Sequence, residues 1–183
     1  MDILPTIRTE RAVLRVLTQA DRDLLHAYRV ENRDHLAPWE PARDPAYYRA
    51  HAASERVQQM LAETLAGSAL HFAALDIGSG RMIASCAFTN IVRGAFQACH
   101  LGYSVAHARQ GTGLMAEVVR AGIGHMFDNA GLHRIMANHM PSNTRSAALL
   151  RRLGFEREGF ARSYLRINGR WEDMVLNSLV NPR

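Results

Sequence analysis

Apolar positions along the chain follow two periods, and the switches between them divide it into elements. Residues 11–17, Arg-Ala-Val-Leu-Arg-Val-Leu, read as an opening strand. Asp21 then starts a helical stretch to about Arg29, with Leu24, Leu25 and Tyr28 on one side and Asp21 as its N-cap. A second short helical piece ends before Pro38-Trp39-Glu40-Pro41, where two prolines predict an extended loop. A helix resumes over 47–65, with Val57, Met60, Leu61, Thr64 and Leu65 at helical spacing and Gly67 closing it. Strand-like runs follow at 70–76, 82–90 and 96–105, the first two joined by a Gly78-Ser79-Gly80 turn. After a central helix capped by Gly131 come a strand at 133–138 and a further helix that Asn143 could cap. Strands at 155–165 and 171–179 close the chain around Asn168-Gly169. No repeat or linker interrupts this order, so the expectation is one α/β domain over residues 1–183.

The stretch Arg109-Gln110-Gly111-Thr112-Gly113-Leu114-Met115 joins the strand ending at Val105 to the central helix. Apolar residues in that helix recur at Leu114, Met115, Val118, Val119, Ile123, Met126 and Phe127. A strand, a glycine-punctuated turn and a helix N-terminus in that order make an anion site. The first helical turn leaves N–H groups unpaired, and glycine lets a phosphate approach them. A lone G-x-G serves more commonly as a plain tight connection. It is not a P-loop, because no Lys-Ser/Thr follows, and the third glycine of the dinucleotide fingerprint is absent.

With 183 residues, 48% of them hydrophobic and 21% charged, the composition is that of a globular protein. No run approaches the ~18 apolar residues of a membrane span, and the first residues lack the layout of a signal peptide. Two cysteines, Cys86 and Cys99, lie in apolar strand-like runs and make no disulfide framework, so a reduced, cytoplasmic protein is expected. All 22 basic side chains are arginine, a pattern that codon bias explains most simply. The net charge of +5 suits an anionic cofactor or a ribonucleoprotein surface without choosing between them. The arginines are scattered, which argues against a dedicated, sequence-specific nucleic-acid stripe. The nine histidines show no H-x-x-x-H spacing and there is no C-x-x-C, so no metal centre is expected.

The glycine loop, a strand ending in Asn138, and Asn143-Thr144-Arg145-Ser146 opening a helix that ends in Leu153-Gly154-Phe155 form one pattern. Pro38-Trp39-Glu40-Pro41-Ala42-Arg43-Asp44, Asn90-Ile91-Val92-Arg93-Gly94-Ala95-Phe96 and His133-Arg134-Ile135-Met136-Ala137-Asn138 extend it. So do Gly154-Phe155-Glu156, Glu158-Gly159 and Gly169-Arg170-Trp171-Glu172-Asp173. On these residues nearly the whole sequence resembles the GNAT-type N-acetyltransferases, in their RimJ/RimL branch, and most of all the RimJ-like members. The resemblance implies a twisted mixed sheet flanked by helices, whose fourth and fifth strands splay apart at a bulge. It implies acetyl-CoA as cosubstrate, with the pantetheine arm lying in the gap like an added strand. By position, the amides around Tyr103, Ser104 and Val105 would face the pantetheine and thioester. Those of Gln110, Gly111, Thr112, Gly113, Leu114 and Met115 would hold the pyrophosphate, with Asn138, Asn143 and Ser146 also on the cofactor. Where the family's loop usually begins with Gln or Arg this chain has Ala108, with Arg109 beside it as a substitute. The acceptor implied is the N-terminal alanine of a small-subunit ribosomal protein, with ribosome association as a further possibility and a monomer or homodimer as the assembly.

Attack of a neutral amine on a thioester needs a base, stabilisation of the oxyanion and a donor to the leaving thiolate. A free α-amine has a pKa of about 7.7–8.0 against about 10.4 for lysine, so an N-terminal substrate needs only modest help. His100, on the strand entering the loop, is a candidate base, with a plain sheet-packing histidine as the equal alternative. Glu40, in the proline-bounded loop, is a second candidate, set against a solvated carboxylate. Asp173 suits a structural pair with an arginine better. A carboxylate that RimL-type enzymes place shortly after the Gly154-Phe155 segment falls at Leu165 here. Ser146 is the candidate donor to the leaving group, with Asn143 orienting the pantetheine amide; a helix cap and a first-turn serine are their ordinary roles. Tyr164 is a more remote donor.

Two other functions stay open at this level. One keeps the enzyme class with a small amine as acceptor, an amino sugar, polyamine or antibiotic, although Arg43, Arg93, Arg162 and Arg166 suit a cation poorly. The other is a ribosome-associated assembly factor whose acetyl-CoA site is regulatory.

Overall fold

The computed structural model describes residues 4–182; residues 1–3 and 183 of the expected domain lie outside it. In chain order the elements are β1 (Thr6–Arg8), β2 (Ala12–Arg15), α1 (Arg22–Glu31), α2 (Arg33–Leu36), α3 (Ala50–Leu65), β3 (Leu70–Asp76), β4 (Met82–Val92) and β5 (Ala98–Val105). Then come α4 (Leu114–Asp128), β6 (Arg134–His139), α5 (Thr144–Arg152), β7 (Glu156–Ile167) and β8 (Arg170–Val180). The strands form one eight-stranded mixed sheet in the order β1-β2-β3-β4-β5-β6-β8-β7. Every neighbouring pair is antiparallel except β5 and β6, which α4 connects as a parallel crossover. The fold class expected from the sequence, α/β with a mixed sheet between helices, is what forms.

Alternation along the strands buries both faces of the central sheet. One face packs Phe72, Cys86, Phe88, Cys99 and Leu101 against Leu114, Val118, Val119, Ile123 and Met126 of α4. On the other, Ala73, Leu75 and Met82 meet Leu25 and Tyr28 of α1 and Ala53 and Val57 of α3. The two cysteines are free and buried, and burial pushes both thiols up.

Strands β5 and β6 pair only at Ala98↔Arg134, Cys99↔Ile135 and His100↔Met136. Beyond that point β5 stays on β4 as far as Val105, and β6 stays on β8 as far as His139, so the two diverge. These are the fourth and fifth strands of the sequence reading, renumbered because β1, three residues long, is too short for periodicity to reveal. The expected bulge is not what parts them. The register of β5 on β4 is unbroken from His100 to Val105, and the shift in that pair lies at Thr89/Val92, where Asn90 has φ 50°.

Other departures are local. The proline-bounded loop is a 3-10 turn at Ala37–Trp39 before it extends at Glu40. Pro45–Tyr48 forms a second 3-10 turn, and Arg49 breaks the chain into extended backbone before α3 begins. Asp21 does stand at the start of α1, but its carboxylate makes no cap bond to that helix. It turns back to Arg15 and Thr18.

Candidate active site

The loop between β5 and α4 starts from two sequence facts: glycines at 111 and 113, and a strong helix behind them. Gly111 and Gly113 have φ of 72° and 81°, a conformation that L side chains rarely adopt. With the chain turned this way, the amides of Gly111, Thr112 and Gly113 have no protein acceptor among the described residues. They stand at the N-terminus of a 15-residue helix, where the backbone dipoles favour an anion. Arg11 braces the loop from the N-terminal hairpin. Its guanidinium donates to the Thr112 carbonyl at 2.8 Å and pairs with Glu117 of α4 at 2.7 Å.

Where β5 and β6 part, a groove of about 620 Å³ opens. It is lined by Tyr103, Ser104 and Val105 on the freed part of β5, by Gln110, Gly111, Gly113 and Met115 of the loop and helix, and by Asn143 and Ser146 of α5. The freed strand stretch leaves backbone groups for an extended ligand to pair with. Tyr103 and Ser146 meet across the groove, hydroxyl to hydroxyl, at 2.6 Å. Burial pushes the Tyr103 phenol up to about 12, so it is a neutral O–H at pH 7. The Asn143 Oδ1 accepts from the Ser146 amide at 3.0 Å, which makes Asn143 the N-cap of α5 and leaves its side-chain N–H₂ free of protein acceptors among the described residues. Gln110 is held from both sides, by His35 at 3.2 Å and by Arg145 at 2.6 Å.

A second cavity, about 190 Å³, lies among α1, α3 and the 37–48 turns, against β3, β4 and β5. Leu36, Glu40 and Ser104 line both spaces, so this is where they meet. Glu40 has its side chain 28% exposed and contacts Arg43 only at 3.5 Å, while its backbone carbonyl is anchored by the Asn168 amide at 2.8 Å. Ser104 sits in a hydroxyl chain, with Tyr28 at 2.8 Å and Ser85 at 2.9 Å.

The sequence candidates thus divide. Tyr103, Ser104, Val105, Gln110, Gly111, Gly113, Met115, Asn143, Ser146 and Glu40 line the groove together. Of the loop amides expected on the pyrophosphate, that of Gln110 donates instead to the His107 carbonyl at 3.2 Å and that of Leu114 to the Thr112 hydroxyl at 3.4 Å. The Thr112 amide stays free among the described residues while its hydroxyl donates to the Arg109 carbonyl at 2.8 Å, and the Leu114 side chain packs in the core. His100 does not reach either space. It shares a sheet face with Ser104, but it lies where β5 and β6 are still paired, and its Nδ1 is buried without a partner. Asn138 and Tyr164 also lie outside both linings. Arg109 lines the groove, but its guanidinium is committed to Asp76 at 2.8 Å. Asp173 takes no arginine among the described residues; it accepts the Ser163 amide at 2.8 Å, where β7 carries a register shift. His35, Tyr28, Ser85 and Arg145 were not singled out. Tyr28 reads as one more apolar-face residue of α1, and nothing local marks the others.

A splayed β5–β6 pair, a glycine loop with free amides on a helix N-terminus, and a hydroxyl pair beside a second pocket define the class: an acyl-CoA-dependent amine acyltransferase. A family model described as acetyltransferase (GNAT) domain matches residues 11–156, and this chain belongs to that family and uses acetyl-CoA as an N-acetyltransferase. It is 43% identical over 181 residues to the [ribosomal protein uS5]-alanine N-acetyltransferase of Escherichia coli (strain K12), covering 98% of this chain and 93% of that one. Among solved structures, the ribosomal-protein-S5-alanine acetyltransferase from Vibrio fischeri superposes with a TM-score of 0.93 at 37% identity, over 97% of both chains. Mycobacterium smegmatis RimJ in complex with CoA-disulfide gives 0.90 at 28% identity, over 98% of this chain and 89% of that one.

Proposed function

We propose that this enzyme acetylates the N-terminal α-amine of a protein, the alanine of a small-subunit ribosomal protein, as its 43%-identical relative is named for doing. The observation that carries the reading is the junction at Glu40 and Ser104, where the groove for the thioester meets a separate pocket for the acceptor. The amides at Gly111, Thr112 and Gly113 take the pyrophosphate, the freed edge of β5 aligns the pantetheine, and the Asn143 side-chain N–H₂ donates to one of its carbonyls. The amine nitrogen attacks the thioester carbonyl carbon, and Glu40 takes the amine's proton, directly or through a water. As the tetrahedral intermediate collapses, the C–S bond breaks. The thiolate receives a proton from the Tyr103–Ser146 hydroxyl pair. The amide product and CoA leave.

An α-amine is about half neutral or a little more near pH 8, so a single solvent-reachable carboxylate suffices. An enzyme with a ribosomal-protein acceptor meets it in the cytoplasm, and association with the ribosome is a property to be measured alongside. The test is acetylation of synthetic peptides followed by mass spectrometry. An alanine-initiated peptide is expected to gain one acetyl group on its α-amine, and Glu40→Gln to lower kcat/KM by about 100-fold. Acetylation of lysine side chains alone, or no turnover of any N-terminal peptide, would overturn the reading.

A further inference from the structure

The small cavity beside Glu40 has an unusual charge. Arg29, Arg33, Arg43 and Arg56 line it, against Glu40 as its one acid. Two of the cations are already balanced, Arg56 by Glu63 at 3.4 Å and Arg43 loosely by Glu40. Arg29 is not. It is only 7% exposed, and no carboxylate lies within ion-pair distance of it among the described residues. Its guanidinium sits over the Tyr47 ring at 3.9 Å and reaches the Tyr47 and Ala52 carbonyls only at 3.4 and 3.5 Å, the outer limit of a hydrogen bond. Arg43 lies against the same ring at 4.4 Å. Burial holds the Arg29 pKa below its ordinary value, and the Arg43 and Arg56 charges act in the same direction, against a partial offset from Tyr47 and from the Glu40 carboxylate across the cavity.

A buried cation without a counter-ion is costly, and a fold that keeps one on a cavity wall is arranged for an anion to complete it. We propose that this cavity is a carboxylate-binding subsite of the acceptor, in which Arg29, supported by Arg43, receives an acidic side chain a few residues behind the acetylated amine. This rests on the peptide-acceptor reading above. The pocket continues from the junction at Glu40, so an amine presented there leaves the following residues next to the arginines. Tyr47 receives both guanidiniums on its ring, and beyond the long contacts of Arg29 Nη1 to the two carbonyls and of Arg43 Nε to Glu40 their remaining N–H groups are available to a carboxylate. The α-carboxylate of a free amino acid has the same chemistry and is the other source of such a group.

The test uses the full chain, acetyl-CoA and peptides beginning with alanine that carry one Glu at position two, three or four, each with its Gln counterpart. At one position the Glu peptide is expected to have a kcat/KM at least tenfold above its Gln partner, the difference residing in KM. In Arg29→Gln that ratio should collapse toward one. Should Arg29→Gln fail to fold, Arg43→Gln, at the exposed rim, is expected to reduce the ratio. Equal rates for Glu and Gln at every position overturn the proposal while leaving the peptide reading intact. Preference for free amino acids over their amides also overturns it, assigning the arginines to an α-carboxylate. No turnover of any peptide defeats the peptide reading itself.

Discussion

Asp21 shows how a residue of ordinary helix-starting type is taken over by its neighbours. Arg15 grips its carboxylate with two bonds of 2.7 Å and the Thr18 amide adds a third at 2.9 Å. The Arg15 hydrogen bonds lower its pKa to about 2 from an ordinary 3.8. A carboxylate whose folded pKa is depressed adds stability that is present above its unfolded pKa and lost as pH falls through the folded one. Asp21→Asn is therefore expected to cost about 2 kcal/mol at pH 7, by urea denaturation. The gap from the parent protein should shrink between pH 4 and pH 2. At the same scale, Glu40 and Ser146 could be singled out by residue type within the 38–44 and 143–146 motifs. His100 was also a plausible base by type, and alternation placed it on the right face. What alternation cannot say is how far along β5 the pairing to β6 extends, and that distance removes His100 from the groove.

Among elements, α4 carries both the anion end and the packing that fixes it. Two of its glycines look alike in sequence and differ in surroundings. A Cβ on Gly122 would lie 2.8 Å from Phe88 Cε2 and 3.2 Å from Cys86 Sγ, both fully buried, whereas Gly124 has nothing within 4 Å. Gly122→Ala is expected to destabilise by about 1–3 kcal/mol through overpacking, in spite of alanine's better helix propensity. Gly124→Ala should stabilise by roughly 0.5–1 kcal/mol, because only the backbone entropy term applies. Thermal denaturation of the two variants checks the contrast; equal effects would mean that α4 does not sit this tightly on β4. Long elements were legible because each repeats its signal: α4 across four turns, and β7–β8 on either side of Asn168-Gly169, whose φ of 44° and 82° match a tight hairpin turn. The 3-10 form of the loop at Ala37–Trp39 and the break at Arg49 were not, since a single turn of 3-10 helix carries no period to read.

For the molecule as a whole, the cosubstrate groove belongs to no single element. It needs β5 held by β4, β6 held by β8, and the Arg11 brace between the N-terminal hairpin and α4. Acetyl-CoA binds the folded arrangement only, so at about 100 times its Kd it is expected to stabilise the protein by ~2.7 kcal/mol. For a chain of this size that corresponds to roughly 5–10 °C in Tm. Gly111→Glu, which puts a side chain and a negative charge where φ is 72°, should abolish the shift. A rise of the same size in that variant would place the pyrophosphate elsewhere. From the sequence alone came the order of helices and of every strand but the three-residue β1, the glycine loop at the head of α4 and the family pattern across it, because these depend on local period, backbone freedom and residue order. Tertiary structure alone decided that Tyr103 meets Ser146, that Tyr28 joins Ser104 and Ser85, and that Arg29 is buried near Glu40 with no carboxylate at ion-pair distance among the described residues. Those pairs are joined across strands and helices far apart in the chain, where only the packing of the sheet faces sets which side chains touch.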